Sequence, residues 1–72
     1  MDCVITRGRR VWGVEIKLSQ SVSQADTKGL KRLADYSNKH FQAGIVFYDG
    51  HDTLPLGDDR FLAVPISRLW ED

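Results

Sequence analysis

A single cysteine, Cys3, stands among the 72 residues, which excludes an internal disulfide. No apolar run is long enough to span a bilayer and no leader pattern opens the chain, so the sequence reads as cytoplasmic and free of the membrane. Excess charge is missing too. Ten acidic and ten basic residues cancel, which removes any broad field for nucleic acid or lipid and leaves such contacts to local patches. Histidine is scarce: neither His40 nor His51 has another His or Cys at metal-ligand spacing, which argues against zinc. Repeats, linkers and low-complexity tracts are absent. A chain this short holds one domain with a marginal core, of the size that leans on staples, metals or oligomerisation.

What the sequence does contain is organised around Val11-Trp-Gly-Val-Glu-Ile-Lys-Leu18. The alternation is that of a strand. Trp12, Val14, Ile16 and Leu18 share one face, and Val11, Gly13, Glu15 and Lys17 the other. The first face is apolar enough to bury. The second carries a carboxylate and an ammonium, charges rarely placed in such a strand without a partner or a job.

Before it, Asp2 to Thr6 also alternates, and Gly8-Arg9 suits a two-residue type II′ turn. The pattern predicts an antiparallel hairpin over about 2–6 and 10–18. In that register residue 7 opposes 10, residue 4 opposes 13, and Asp2 opposes Glu15 on the face shared with Lys17. Cys3, Ile5, Trp12, Val14 and Ile16 gather on the other face, the expected seat of a helix, so Cys3 is expected inside.

Ser23-x-x-Asp26 resembles a capping box with Asp in place of Glu or Gln, and Leu30, Leu33, Ala34, Ser37 and Phe41 follow helical spacing. A helix is predicted over about 24–39, with Lys28, Lys31, Arg32, Asp35 and Lys39 outside. The apolar run over about 44–48 predicts a central parallel strand buried on both faces, reached by a crossover. A final strand over about 61–66 contains Pro65, which argues for an edge or an end. Ser67 to Trp70 reads as a helical turn that docks Trp70; both Trp12 and Trp70 are expected in the core. The fold class is α/β: a small mixed sheet with one crossover helix.

Asp2, twelve residues, then Glu15-Ile16-Lys17 spells D-x12-E-x-K. Two carboxylates on adjacent strands suit a hard cation such as Mg²⁺ or Mn²⁺, and the Ile16 carbonyl could add an oxygen. Such a cation polarises a phosphate and acidifies a bound water, while Lys17 could orient that water or offset phosphoryl charge. Arg7, Arg9 and Arg10 cluster at the hairpin tip, where they could contact phosphates of DNA. The plainer alternatives are a solvated cross-strand pair for Glu15 and Lys17 and a solvated turn for the arginines.

The arrangement resembles the core of the PD-(D/E)xK nuclease superfamily. A fuller pattern covers nearly the whole chain: Asp2-Cys-Val-Ile5, Val11 to Ser19, Asp26 to Leu33, Gly44 to Gly50, Leu54-Pro-Leu-Gly57 and Ala63-Val-Pro-Ile-Ser-Arg-Leu-Trp70. It is similar to the C-terminal nuclease-like domain of uncharacterised bacterial and archaeal AAA+-type ATPases. The resemblance implies a restriction-endonuclease-like fold with Asp2, Glu15 and Lys17 as the catalytic positions. It also implies a truncated core, since the superfamily's usual N-terminal helix and first strand do not precede Asp2 here. Two functions follow as expectations: Mg²⁺-dependent hydrolysis of DNA phosphodiesters, or a catalytically silent assembly module that dimerises through the open sheet edge at 2–6.

Overall fold

The computed structural model describes residues 3–71, so Asp2 and its pairing with Glu15 lie outside the described residues. The hairpin forms in the expected register. Strand β1 (Cys3–Arg7) pairs antiparallel with β2 (Arg10–Lys17), with Arg7 opposite Arg10, Val4 opposite Gly13 and Cys3 opposite Val14. The loop is Gly8-Arg9. Gly8 has φ +60°, the left-handed value that the first central position of a type II′ turn needs.

The segment predicted as one helix is broken into three. A 3-10 turn (Gln24–Thr27) leads into helix α1 (Lys28–Ser37), and a second 3-10 turn (Asn38–His40) follows. Asn38 has φ +52°, a value that Asn accepts more readily than most side chains, and its N–H still donates to the Ala34 carbonyl. Leu30 and Ala34 are buried, while Lys28, Lys31, Arg32 and Asp35 are exposed as their spacing predicts.

Strand β3 (Phe41–Tyr48) begins earlier than predicted, because Phe41 belongs to the strand and not to the helix. Strands β4 (Leu54–Leu56) and β5 (Asp58–Pro65) complete a five-stranded sheet in the order β1-β2-β3-β5-β4. β2, β3 and β5 run parallel; β1 and β4 are antiparallel edges. The last strand is therefore not an edge. β4 takes that place, and Pro65 is tolerated because it ends β5.

The helix lies on the opposite face of the sheet from the one expected. Gly13, Gly44 and Phe61 are register partners across β2, β3 and β5, and a Cβ on Gly44 would meet the Leu30 and Phe61 side chains. α1 thus covers the face that carries Glu15 and Lys17. The core forms there from Leu30, Ala34, Val46, Tyr48, Phe61 and Ala63, with Phe41 and Leu56 at its margins. The other face carries Trp12, Val14 and Ile16, then Ala43, Ile45 and Phe47, then Leu62 and Val64, and these side chains are only half-buried or exposed. So β3 is central but buried on one side alone. Cys3 and Ile5 extend this open face and are exposed, correcting the expected burial of Cys3. Trp12 is half-buried on the same open face. The closing turn forms as 3-10 (Ile66–Trp70), yet Trp70 is 74% exposed and docks nowhere in the core. No described helix is long and apolar enough to cross a membrane.

The tight contact at Gly44 generates a prediction. A methyl group there would stand 2.9 Å from Phe61 Cδ1 and 3.1 Å from Leu30 Cδ1. Gly44→Ala should cost about 2 kcal/mol through overpacking, measured as a lower urea midpoint with unchanged slope. A neutral or stabilising result would contradict this helix placement.

Candidate functional site

Alternation places Glu15 and Lys17 on one face of β2, and the parallel register sets them beside Val46 and Tyr48 of β3. Because α1 covers this face, both side chains are half-buried. One Glu15 carboxylate oxygen, Oε2, is out of contact with solvent. Ile16, expected to lend its carbonyl, sits between them with its side chain on the open face, 49% exposed. Asp2, the expected second carboxylate, is outside the described residues. Among the described residues, no group of three His, Cys, Asp or Glu side chains converges as a cation site. Glu15 is thus the one described side-chain donor of the expected metal set.

Lys17 has a specific partner that the strand pattern does not reveal. Its Nζ donates to Asp26 Oδ2 at 2.8 Å, with side-chain exposures of 34% and 22%. The same carboxylate oxygen accepts the Ser23 N–H at 2.8 Å, and the Asp26 N–H donates back to the Ser23 carbonyl at 3.0 Å. Asp26 therefore caps the turn that starts the crossover and clasps it to the end of β2. The bond from Lys17, and then that from Ser23, hold its carboxyl below the usual value of 3.8. The signal in the sequence was the unusual Asp at the capping-box position, whose short side chain serves both donors.

A cleft of about 360 Å³ opens at the carboxyl ends of β2 and β3, lined by Gln20, Ser21, Tyr48, Asp49, His51 and Asp52 among others. Tyr48, the register partner of Lys17, connects the cleft to the Glu15–Lys17 face. The loop after β3 is firmly built. The Asp49 N–H donates to the Ser19 carbonyl at 2.9 Å and the Tyr48 hydroxyl donates to the Asp52 carbonyl. Gly50 packs so closely on the Tyr48 ring that a Cβ would come within 2.2 Å of it. Crevices at the carboxyl ends of parallel strands are where α/β sheets commonly bind ligands. Sequence reasoning recognised 49–52 only as a turn; Tyr-Asp-Gly-His-Asp directly after an apolar parallel strand was the available signal.

Arg7, Arg9 and Arg10 are exposed at the hairpin end, as expected, but not beside the acidic face. Glu15 lies five positions beyond Arg10 along β2, about 17 Å of strand. The structure makes them a separate cationic patch. Another charged cluster is structural: Arg60 lies 5.4 Å from the Phe41 ring centroid and 5.6 Å from that of Phe61. It also holds Asp58 at 3.2 Å, which lowers that carboxyl to about 2.

Residues 1–69 match the domain family described as a domain of unknown function, DUF4143, and the chain belongs to that family. No curated protein and no solved structure matches the chain.

The clasp gives a pH-dependent prediction. A carboxyl held below its unfolded value contributes stability above about 3.8, and that contribution disappears as the pH falls through the depressed value. Asp26→Asn should cost about 1 kcal/mol near neutral pH and lose less on acidification than the parent does. Urea midpoints at about pH 7 and about pH 2.5 measure both effects. Equal acid losses in the two proteins would exclude the clasp as a contributor.

Proposed function

We propose that this chain is a nuclease-like domain that hydrolyses DNA phosphodiesters with Mg²⁺ or Mn²⁺. The observation that supports it is the placement of Glu15 and Lys17 on the same, covered face of β2, near the polar cleft at the strand ends. In this reading Glu15 and Asp2, with the Ile16 carbonyl, hold the cation. When bound, it would polarise a phosphate and acidify a water. Lys17 is a protein-supplied cation whose flexible stem lets it leave Asp26 for a phosphoryl oxygen, where it offsets charge in the transition state. Arg7, Arg9 and Arg10 supply backbone-phosphate contacts away from the reacting bond. The cytoplasm, where DNA and Mg²⁺ occur together, is the compartment of this reading.

A second reading is favoured by a different observation. All five residues of β1 are exposed, and β1 is a sheet edge. The chain would then be a catalytically silent assembly module, derived from the C-terminal domain of an AAA+-type ATPase, that dimerises along β1. With Arg7 and Arg10 flanking a two-residue loop, Val4 and Thr6 occupy non-hydrogen-bonded positions and turn their N–H groups outward. Those groups are the donors for a second copy.

Plasmid nicking with excess protein separates the readings. The nuclease reading expects nicking that needs Mg²⁺ or Mn²⁺ and falls at least about a hundredfold in Lys17→Ala and Glu15→Gln. Nicking that survives both substitutions, or none at all, rejects it. The edge-pairing reading expects a dimer that Thr6→Pro converts to a folded monomer, read by light scattering; a monomeric parent chain rejects that one.

A further inference from the structure

We infer that the open face of the sheet is the contact surface for a second copy of this chain, stacked face to face with its strands antiparallel to those of the first. The inference rests on neither functional reading above. It starts from a sheet with one side covered. α1 closes the face of Gly44, Val46 and Ala63, while the reverse side presents apolar rows from β1, β2, β3 and β5, with Arg7 and Arg10 ending the rows of β1 and β2. Ile5 and Ile16 are 48% and 49% exposed there. Contiguous apolar surface of this kind marks an interaction site rather than solvent-facing sheet.

Area and charge both favour a second copy as the occupant. Four strands about 4.8 Å apart, each with same-face residues about 6.7 Å apart, give roughly 400 Å² of flat sheet per copy. Side chains stand above that plane, so a stacked pair removes roughly 1,000–1,200 Å² from water, the lower edge of the range for specific interfaces. Among the described residues only nine apolar side chains, Pro65 included, are buried, so this small domain gains much of its missing core from such a stack. The net charge of zero leaves no overall repulsion between two copies. Orientation follows from the arginines. Arg7 and Arg10 oppose one another at one end of the face, so parallel stacking would set all four guanidinium groups at the same end of the stack, whereas antiparallel stacking sets the two pairs at opposite ends. Sheets packed in this way lie about 10 Å apart with side chains interleaved.

The geometry places Ile45, the middle residue of the apolar row on the central strand, closest to the two-fold axis. This separates the stack from pairing along β1, which would hold the two copies of residue 45 about five strand spacings apart, roughly 24 Å. The test uses the full chain as Cys3→Ser with Ile45→Cys, treated with a bismaleimide spanning about 8 Å, beside sedimentation equilibrium of the parent. The expected result is a parent mass of twice 8.2 kDa and efficient cross-linking to the dimer. Ile45→Lys, shown by circular dichroism to keep its fold, should weaken the dimer at least about a hundredfold while Thr6→Pro leaves it intact. A monomeric parent overturns the proposal. So does a dimer that the reagent cannot cross-link, or one that survives Ile45→Lys and is lost in Thr6→Pro.

Discussion

The approach of α1 to the sheet depends on a strip without side chains. Gly13 and Gly44 are neighbours across β2 and β3, and Leu30 settles over Gly44 against Phe61. A helix packs where its large residues can interlock with the sheet, and over this strip Leu30 is fully buried. The choice of face then determines everything else on β2. Because Glu15 and Lys17 alternate with Gly13, they share its side and are drawn under the helix. The apolar residues Trp12, Val14 and Ile16 are left on the other side. One packing preference thereby produces both unusual features of the molecule: a partly buried acid and lysine, and an apolar face without a cover.

Placing Lys17 under the helix creates an electrostatic requirement, which Asp26 meets. A half-buried ammonium is stabilised by a nearby carboxylate held in position, and Asp26 is held by the Ser23 N–H as well. The same bond ties the carboxyl end of β2 to the start of the crossover. Lys17 is therefore oriented by the scaffold itself, through a partner at the start of the crossover. This arrangement is compatible with a phosphoryl-directed lysine that exchanges one oxygen acceptor for another. It is equally what a purely architectural ion pair looks like, which is why nicking by the parent, and its loss in the substituted chains, decides between the two.

Much of the local structure was legible because short-range patterns encode it. The hairpin register followed from Gly8 and the alternation on either side, and the order of strand, helix and parallel strand followed from changes of period. The outer charges of α1 were readable for the same reason. What was not legible depended on partners distant in sequence. Taken alone, β2 has a better burying face at Trp12, Val14 and Ile16 than at Gly13, Glu15 and Lys17. The opposite outcome reflects Gly44, Phe61 and Ala63 on strands that no local reading of β2 includes. Trp70 and Cys3 were assigned to the interior by residue type and alternation, but burial also needs a second layer, and no described element packs over either. At the site, Glu15 and Lys17 were found by spacing, whereas Asp26 was read only as a cap because its second bond spans nine residues.

The apolar content of β3 and β5 carries the argument one step further. From residue 43 of β3 and residue 61 of β5 onward both strands are apolar on both sides, the composition of strands in sheets covered on two faces, yet α1 covers only one. A sequence selected to leave the second face in water would place Thr, Lys or Glu at positions 45, 47, 62 and 64, where Ile, Phe, Leu and Val stand. The composition of the strands and the exposure of the face therefore agree on a cover supplied from elsewhere. Such a cover would buttress β2 from behind without touching the Glu15–Lys17 face or the cleft at the strand ends, because they lie on the other side and at the margin of the sheet. The inferred assembly through the open face and the proposed chemistry on the helix face would thus be independent of one another, since they use opposite sides of one sheet.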